Sequence, residues 1–101
     1  MLDVTQVMAG PYCTMILADL GADVVKVEPP RGDMTRRMPR AVGADTPAFN
    51  AVNRGKRSVV LDLKTPAGRD ALLGLVQSAD IFVENSRPGV MEKLGLDYPT
   101  L

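Results

Sequence analysis

A chain of 101 residues with 46% apolar side chains is long enough for one domain with a real core and too apolar for disorder. With no histidine and one cysteine, Cys13, it excludes Ser-His-Asp and Cys-His nucleophile systems, histidine or thiolate metal centres, and an internal disulfide. Net charge is zero, no apolar run approaches the ~20 residues of a membrane span, and the amino terminus lacks the pattern of a secretory signal, so the expected setting is cytoplasmic.

Leu2-Asp-Val-Thr5 reads as the end of a first strand, short enough to predict further residues upstream. Gly10-Pro11 opens a helix, with proline where a missing N–H costs nothing. Cys13, Ile16, Leu17 and Leu20 follow at helical spacing and predict its buried face, with Cys13 a buried thiol and Gly21 the stop. Asp23 to Glu28 is the second strand, ended by Pro29-Pro30, neither of which can donate to a ladder.

Residues 31 to 57 carry no strong period, apart from a short helix predicted around Pro47 to Asn53. Ser58 to Leu63 is a third strand, and Thr65-Pro66 caps and starts a helix whose apolar stripe is Leu72, Leu75, Val76 and Ala79. Asp80 to Glu84 is a fourth strand, Pro88 begins a helix closing near Gly95, and Asp97 reads as the cap of another helix. Five of the six methionines, Met8, Met15, Met34, Met38 and Met91, are read as core fillers or loop residues rather than a binding surface. Strands alternating with helices define an α/β class with a partial doubly wound parallel sheet, expected to continue beyond both ends of residues 1–101.

The chemistry-bearing residues collect where such sheets bind ligands, at the carboxyl ends of the strands. Met8-Ala-Gly-Pro11 lies between a strand and a helix N-terminus, where free N–H groups favour anions. Glu28 follows Gly10 by eighteen residues, as the ribose-binding acid does in dinucleotide sites, but G-x-G-x-x-G is broken by Pro11 and Tyr12, which argues against NAD. Leu61-Asp-Leu-Lys64 and Glu84-Asn-Ser-Arg-Pro-Gly89 end two further strands at the same edge. Each is equally readable as a polar connection with no ligand. Residues 26 to 69 hold ten of the twelve basic side chains and four acids, a net +6 between flanks of −3 each, which suits a compact polyanion better than nucleic acid and is equally readable as a solvated basic loop of no special purpose.

Taken together, Asp3 to Pro11, Leu17 to Pro30, Gly32 to Arg36, Asn53 to Ser58, Leu61 to Pro66 and Val83 to Gly89 resemble the family III CoA-transferases, which include formyl-CoA transferase, carnitine CoA-transferase and α-methylacyl-CoA racemase. The resemblance runs the length of the chain in the family's order. It implies an N-terminal Rossmann-like segment that binds CoA, from an enzyme that moves CoA between carboxylic acids. The same resemblance is open to a racemase fragment, and the residues alone to a non-catalytic CoA-binding module.

By resemblance, Met8 and Ala9 lie near the thiol end of CoA, and Leu61, Asp62, Leu63 and Lys64 along its nucleotide. Asn85, Ser86 and Arg87 form a second CoA loop, and Lys93 sits near the phosphorylated ribose. The basic segment would face the phosphates of CoA. The implied partners are acyl-CoA and a carboxylic acid, with an interlocked homodimer at full length. CoA is substrate rather than bound cofactor, and neither metal, membrane nor nucleic acid is expected. The family's aspartate nucleophile belongs downstream, so no residue here is assigned as catalytic. Departures at Met8, Pro29 and Ser86 from the residues of formyl-CoA transferase or of many members argue against formyl-CoA as the acyl donor.

Overall fold

Side-chain alternation along the strands divides the sheet into two unlike faces. In the computed structural model, which describes residues 1–38 and 46–101, four strands pair in the order β3-β2-β1-β4, every pair parallel. They are β1 (Leu2–Asp3), β2 (Val24–Glu28), β3 (Lys56–Val60) and β4 (Phe82–Val83). The helices are α1 (Ala9–Asp19), α2 (Pro47–Asn53), α3 (Pro66–Val76) and α4 (Val90–Leu94), with a 3₁₀ turn at Met34–Arg37. The expected α/β class and parallel sheet are observed. The arginine-bearing stretch 39–45, with Pro39, Arg40 and Gly43, lies outside the described residues.

The register places Leu2 beside Val25 and Val27 beside Val59 on one face. There Leu2, Val27, Leu72, Met91 and Leu96 form the apolar core, with the α3 stripe of Leu72, Leu75, Val76 and the following Ala79 as predicted. The opposite face, under α1, carries Asp3, Thr5, Lys26 and Glu28, each almost fully buried. A buried charge is tolerated only when paired. Asp3 therefore takes Lys56 at 2.9 Å, Lys26 takes Asp33 at 3.0 Å, and Glu28 takes Arg36 at 2.7 Å.

This ionic underside overturns the predicted rotation of α1. Its buried residues are Pro11, Thr14 and Met15, whereas Cys13 and Ile16 are exposed and Leu20 is 79% exposed. The phase is set by Thr14, whose hydroxyl donates to Asp3 Oδ2 at 2.6 Å, and by Gly10, where a Cβ would stand 2.4 Å from the Thr5 side chain. A helix lying on charged residues turns its hydroxyl down, not its leucine. The helix begins at Ala9, which leaves Pro11 inside the first turn, where its N–H would have had no partner.

Strand β3 starts at Lys56 and stops at Val60, earlier than the predicted Leu63. Its partner β2 ends at Glu28 before the double proline, so the last ladder bond is Leu61 N–H to Glu28 O at 2.9 Å. Leu61 to Lys64 is thereby released as a loop. β4 likewise shortens to Phe82–Val83, matching its two-residue partner β1. The predicted helix at Pro47 is found as α2, capped by Thr46, which accepts from Phe49 N–H at 3.1 Å.

Candidate functional site

Three sequence-distant loops meet above the carboxyl ends of the strands. Connections from β1 and from its neighbour β4 leave in different directions there, the place where open α/β sheets take ligands. The β1–α1 turn and the loop after β4 line one cavity of about 610 Å³, containing Val7, Met8, Ala9, Asn85, Ser86 and Arg87. The loop after β3 lines a second, of about 210 Å³, with Leu61, Asp62, Leu63 and Lys64 around Val27, Pro29 and Leu94. Val4, Gln6, Ser86 and Val90 line both, so the two form one groove. Of the residues tied to CoA by resemblance, Lys93 alone is not brought in; it is exposed on α4 and lines neither cavity.

Local chemistry sets each loop. After β3, Lys64 N–H donates to Asp62 Oδ1 at 3.0 Å and the Thr65 hydroxyl to Asp62 O at 2.8 Å. Thr65 in turn caps α3, accepting from Gly68 N–H at 3.1 Å. Gly68 is required at this spot, because an added Cβ would stand 2.0 Å from Asp62 O. After β4, the Asn85 amide accepts from Gln6 N–H at 3.0 Å and donates to Gln6 O at 2.9 Å. Asn85 thus joins the two sides of the first cavity, and its amide is spent on backbone rather than turned toward the groove. Ser86 N–H donates to Glu84 Oε2 at 2.7 Å.

The β1–α1 turn is gripped from below. Lys26 Nζ donates to Thr5 O at 2.9 Å, and Asp3 Oδ1 accepts from Thr5 N–H at 2.9 Å. Asp33 Oδ1 accepts from Thr35 N–H and hydroxyl at 2.9 and 2.8 Å, and more distantly from Val7 N–H at 3.4 Å. Val7 has φ +73°, a left-handed conformation that a β-branched residue adopts only when its surroundings enforce it. Sequence reasoning missed Lys26, Asp33, Gln6, Val7 and Met34. Lys26 and Glu28 were readable as charges on one face of a central strand, which demands partners. Nothing marks Val7, since valine is a poor choice for that conformation. Met8 and Met34, half exposed, line the first cavity rather than a core, while Met15 and Met91 are buried as expected.

Half of the ten basic side chains of the segment are engaged by acids of the chain itself. Ion pairs engage Lys26, Arg36, Lys56, Arg54 (with Asp19) and Arg57 (with Asp23), so the +6 seen in sequence is not a free field. Arg36 also lies 3.6 Å above the Phe49 ring. Burial pushes the Glu28 carboxyl up, but both Arg36 nitrogens, Asp33 N–H and the Ser58 hydroxyl override it and bring it to about 2. All its acceptor positions are occupied by protein, which disposes of Glu28 as a ribose ligand. For Asp3 burial is likewise outweighed, by Thr14, Thr5 and Lys56, and its value is lowered.

These features define a doubly wound α/β protein segment with a groove at the switch point of the sheet, where such folds take ligands. The chain belongs to CoA-transferase family III, whose description matches residues 1–101. It is 57% identical to succinyl-CoA:mesaconate CoA-transferase of Haloarcula hispanica and 48% to acetyl-CoA:oxalate CoA-transferase of Acetobacter aceti, each over 99% of this chain and 26% of the relative. A CAIB/BAIF family protein of Brucella suis superposes with TM-score 0.91 at 42% identity, over 98% of this chain and 28% of that one. The Mycobacterium tuberculosis protein Rv3272 does so with TM-score 0.89 at 43% identity, over 98% and 27%. The chain spans about a quarter of the length of these relatives. Among the described residues no helix is long and apolar enough to cross a membrane, and no cluster of acids or cysteine forms a metal site.

Proposed function

We propose that this chain forms the CoA-binding part of an acyl-CoA:carboxylate CoA-transferase. The observation that carries the reading is convergence. Met8-Ala9, Leu61 to Lys64 and Asn85 to Arg87, the segments tied to CoA by resemblance, line one groove although they are far apart in sequence. The groove, smaller in volume and more apolar at the Leu61–Lys64 end, suits a coenzyme with a long arm whose thioester lies by Met8 and Ala9. Arg87 and Lys64 supply cations along its walls. Asn85 acts in this reading by holding the turn, with Ser86 and Arg87 making contact.

The reaction would proceed by covalent carboxylate catalysis: an aspartate attacks the acyl-CoA carbonyl, CoA thiolate leaves and a mixed anhydride forms; the thiolate attacks the aspartyl carbonyl, releasing the first carboxylate and leaving an aspartyl-CoA thioester. The acceptor carboxylate then displaces the thiolate to form a second mixed anhydride, and the thiolate attacks the acceptor's acyl carbon, giving the new acyl-CoA and freeing the aspartate. That aspartate is assigned to residues beyond this chain. Within it Asp3, Glu28 and Asp33 are buried and each is held in an ion pair. The whole enzyme is read as a cytoplasmic homodimer. Relatives named for succinyl-CoA with mesaconate and for acetyl-CoA with oxalate make these pairs the first to assay. Calorimetric titration with CoA and with NADH tests the reading: a CoA isotherm without an NADH response is expected, and NADH binding without CoA binding overturns it.

A further inference from the structure

We infer that Lys26 and Asp33 are a positioning pair that holds the β1–α1 turn in its strained form, presenting Met8 and Ala9 to the thioester end of the ligand. The inference rests on the CoA reading for what is presented, but not for how the turn is held. Three successive residues of the turn are each fastened by a side chain from elsewhere. Thr5 O accepts from Lys26 Nζ at 2.9 Å, both Gln6 backbone groups bond Asn85, and Val7 N–H points at Asp33 Oδ1, 3.4 Å away. Lys26 and Asp33 join the first and third of these points through their own 3.0 Å ion pair. They are 1% and 0% exposed.

Burying such a pair contributes little net stability compared with an apolar pair of the same shape. Its position is better explained by what it fixes. Valine at φ +73° relaxes unless it is held, and relaxation would move Met8, the next residue and a wall of the groove. Asp33 also caps the Met34–Arg37 turn through Thr35, and Met34 lines the same cavity as Met8. One carboxylate therefore sets two walls of the thioester end. The Leu61–Lys64 end of the groove touches neither residue of the pair.

The test uses the double variant Lys26→Met/Asp33→Asn, which removes both charges together, the single variant Asp33→Asn, and the double variant with Val7→Gly added. Each is checked by thermal denaturation, then titrated with acetyl-CoA and with adenosine 3′,5′-bisphosphate, which lacks the pantetheine and thioester. A roughly tenfold loss of acetyl-CoA affinity (about 1.4 kcal/mol) is expected for the folded double variant. Bisphosphate affinity should stay within about twofold, since that ligand does not reach the turn. Glycine adopts positive φ without strain, so Val7→Gly should recover most of the loss. Unchanged acetyl-CoA affinity, equal losses for both ligands, or no recovery overturns the inference. So does failure of both charge variants to fold, which would make the pair a folding requirement. If the parent protein binds neither ligand, the CoA reading fails by itself. The crystal structure of the double variant then decides the holding role: Val7 leaving positive φ supports it, and Val7 remaining near +73° overturns it.

Discussion

Asn85 and Gln6, 79 positions apart, exchange two hydrogen bonds, the side-chain amide of one meeting both backbone groups of the other. The pairing imitates one more rung of the β1–β4 ladder after the strands themselves have ended at Asp3 and Val83. It lets the chain diverge around the groove while keeping both sides of the groove at fixed separation.

Replacing Asn85 with leucine should cost about 1–2 kcal/mol, the net worth of two ordinary hydrogen bonds. Asn85→Asp, which keeps the acceptor for Gln6 N–H and loses the donor to Gln6 O, should cost less in stability. Chemical denaturation of both variants checks the ranking. Equal stability of Asn85→Leu and the parent would sink the clamp.

Glu28 makes the acid limb of stability predictable. Its ordinary value of 4.5 falls to about 2 in the folded chain. A folded value below the unfolded one means that its stabilisation is complete above roughly pH 5 and is lost as the pH falls toward 2. Asp3 and Asp33, also lowered, act in the same direction. Glu28→Gln should therefore be less stable at neutral pH and show a shallower fall between pH 5 and 2, read by urea midpoints across that range. An unchanged slope would remove Glu28 from the account.

Gly68→Ala should be among the most disruptive small changes in the chain. The new Cβ would meet backbone oxygen, not a mobile side chain, and the Leu61–Lys64 loop would have to lift from α3. A loss of about 1–3 kcal/mol is expected, as for overpacked interiors. Gly74→Ala, where a Cβ meets nothing within 4 Å, serves as the control and should be neutral or stabilising. A pair of thermal melts is sufficient, and equal effects at the two sites would refute the close approach.

The rotation of α1 gives an inverted expectation. Leu20→Ser, at a residue that helical spacing alone would bury, should change stability by no more than about 0.5 kcal/mol. Met15→Ala should cost about 2–5 kcal/mol. Thr14→Val, similar in shape, should cost about 1–3 kcal/mol by depriving Asp3 of a buried donor. Denaturation midpoints showing Leu20→Ser as the worst of the three would restore the original phase.

Much of the fold was legible because its cues are local. Thr65-Pro66 starts α3, Pro47 starts α2, and Pro29-Pro30 ends β2, each through what proline can and cannot donate. The groove's loops were legible as strand ends. What escaped notice depends on the second partner of each contact. Cys13, Ile16 and Leu20 form a convincing stripe until Asp3 and Lys56 are known to lie beneath the helix. Likewise, the basic stretch looks like a ligand field until Asp3, Asp19, Asp23, Glu28 and Asp33 are found opposite its cations. Periodicity records which side chains share a face, but not what that face meets.

Val4, Gln6, Ser86 and Val90, common to both cavities, form a waist between two chambers built by different loops. A molecule long enough to occupy both would be read twice, by walls that share few residues. Substitutions in the Leu61–Lys64 chamber and in the Met8–Met34 chamber should then combine almost independently. Such a division lets one end of the groove be remodelled for a new reacting group while the other keeps its grip on an unchanged handle.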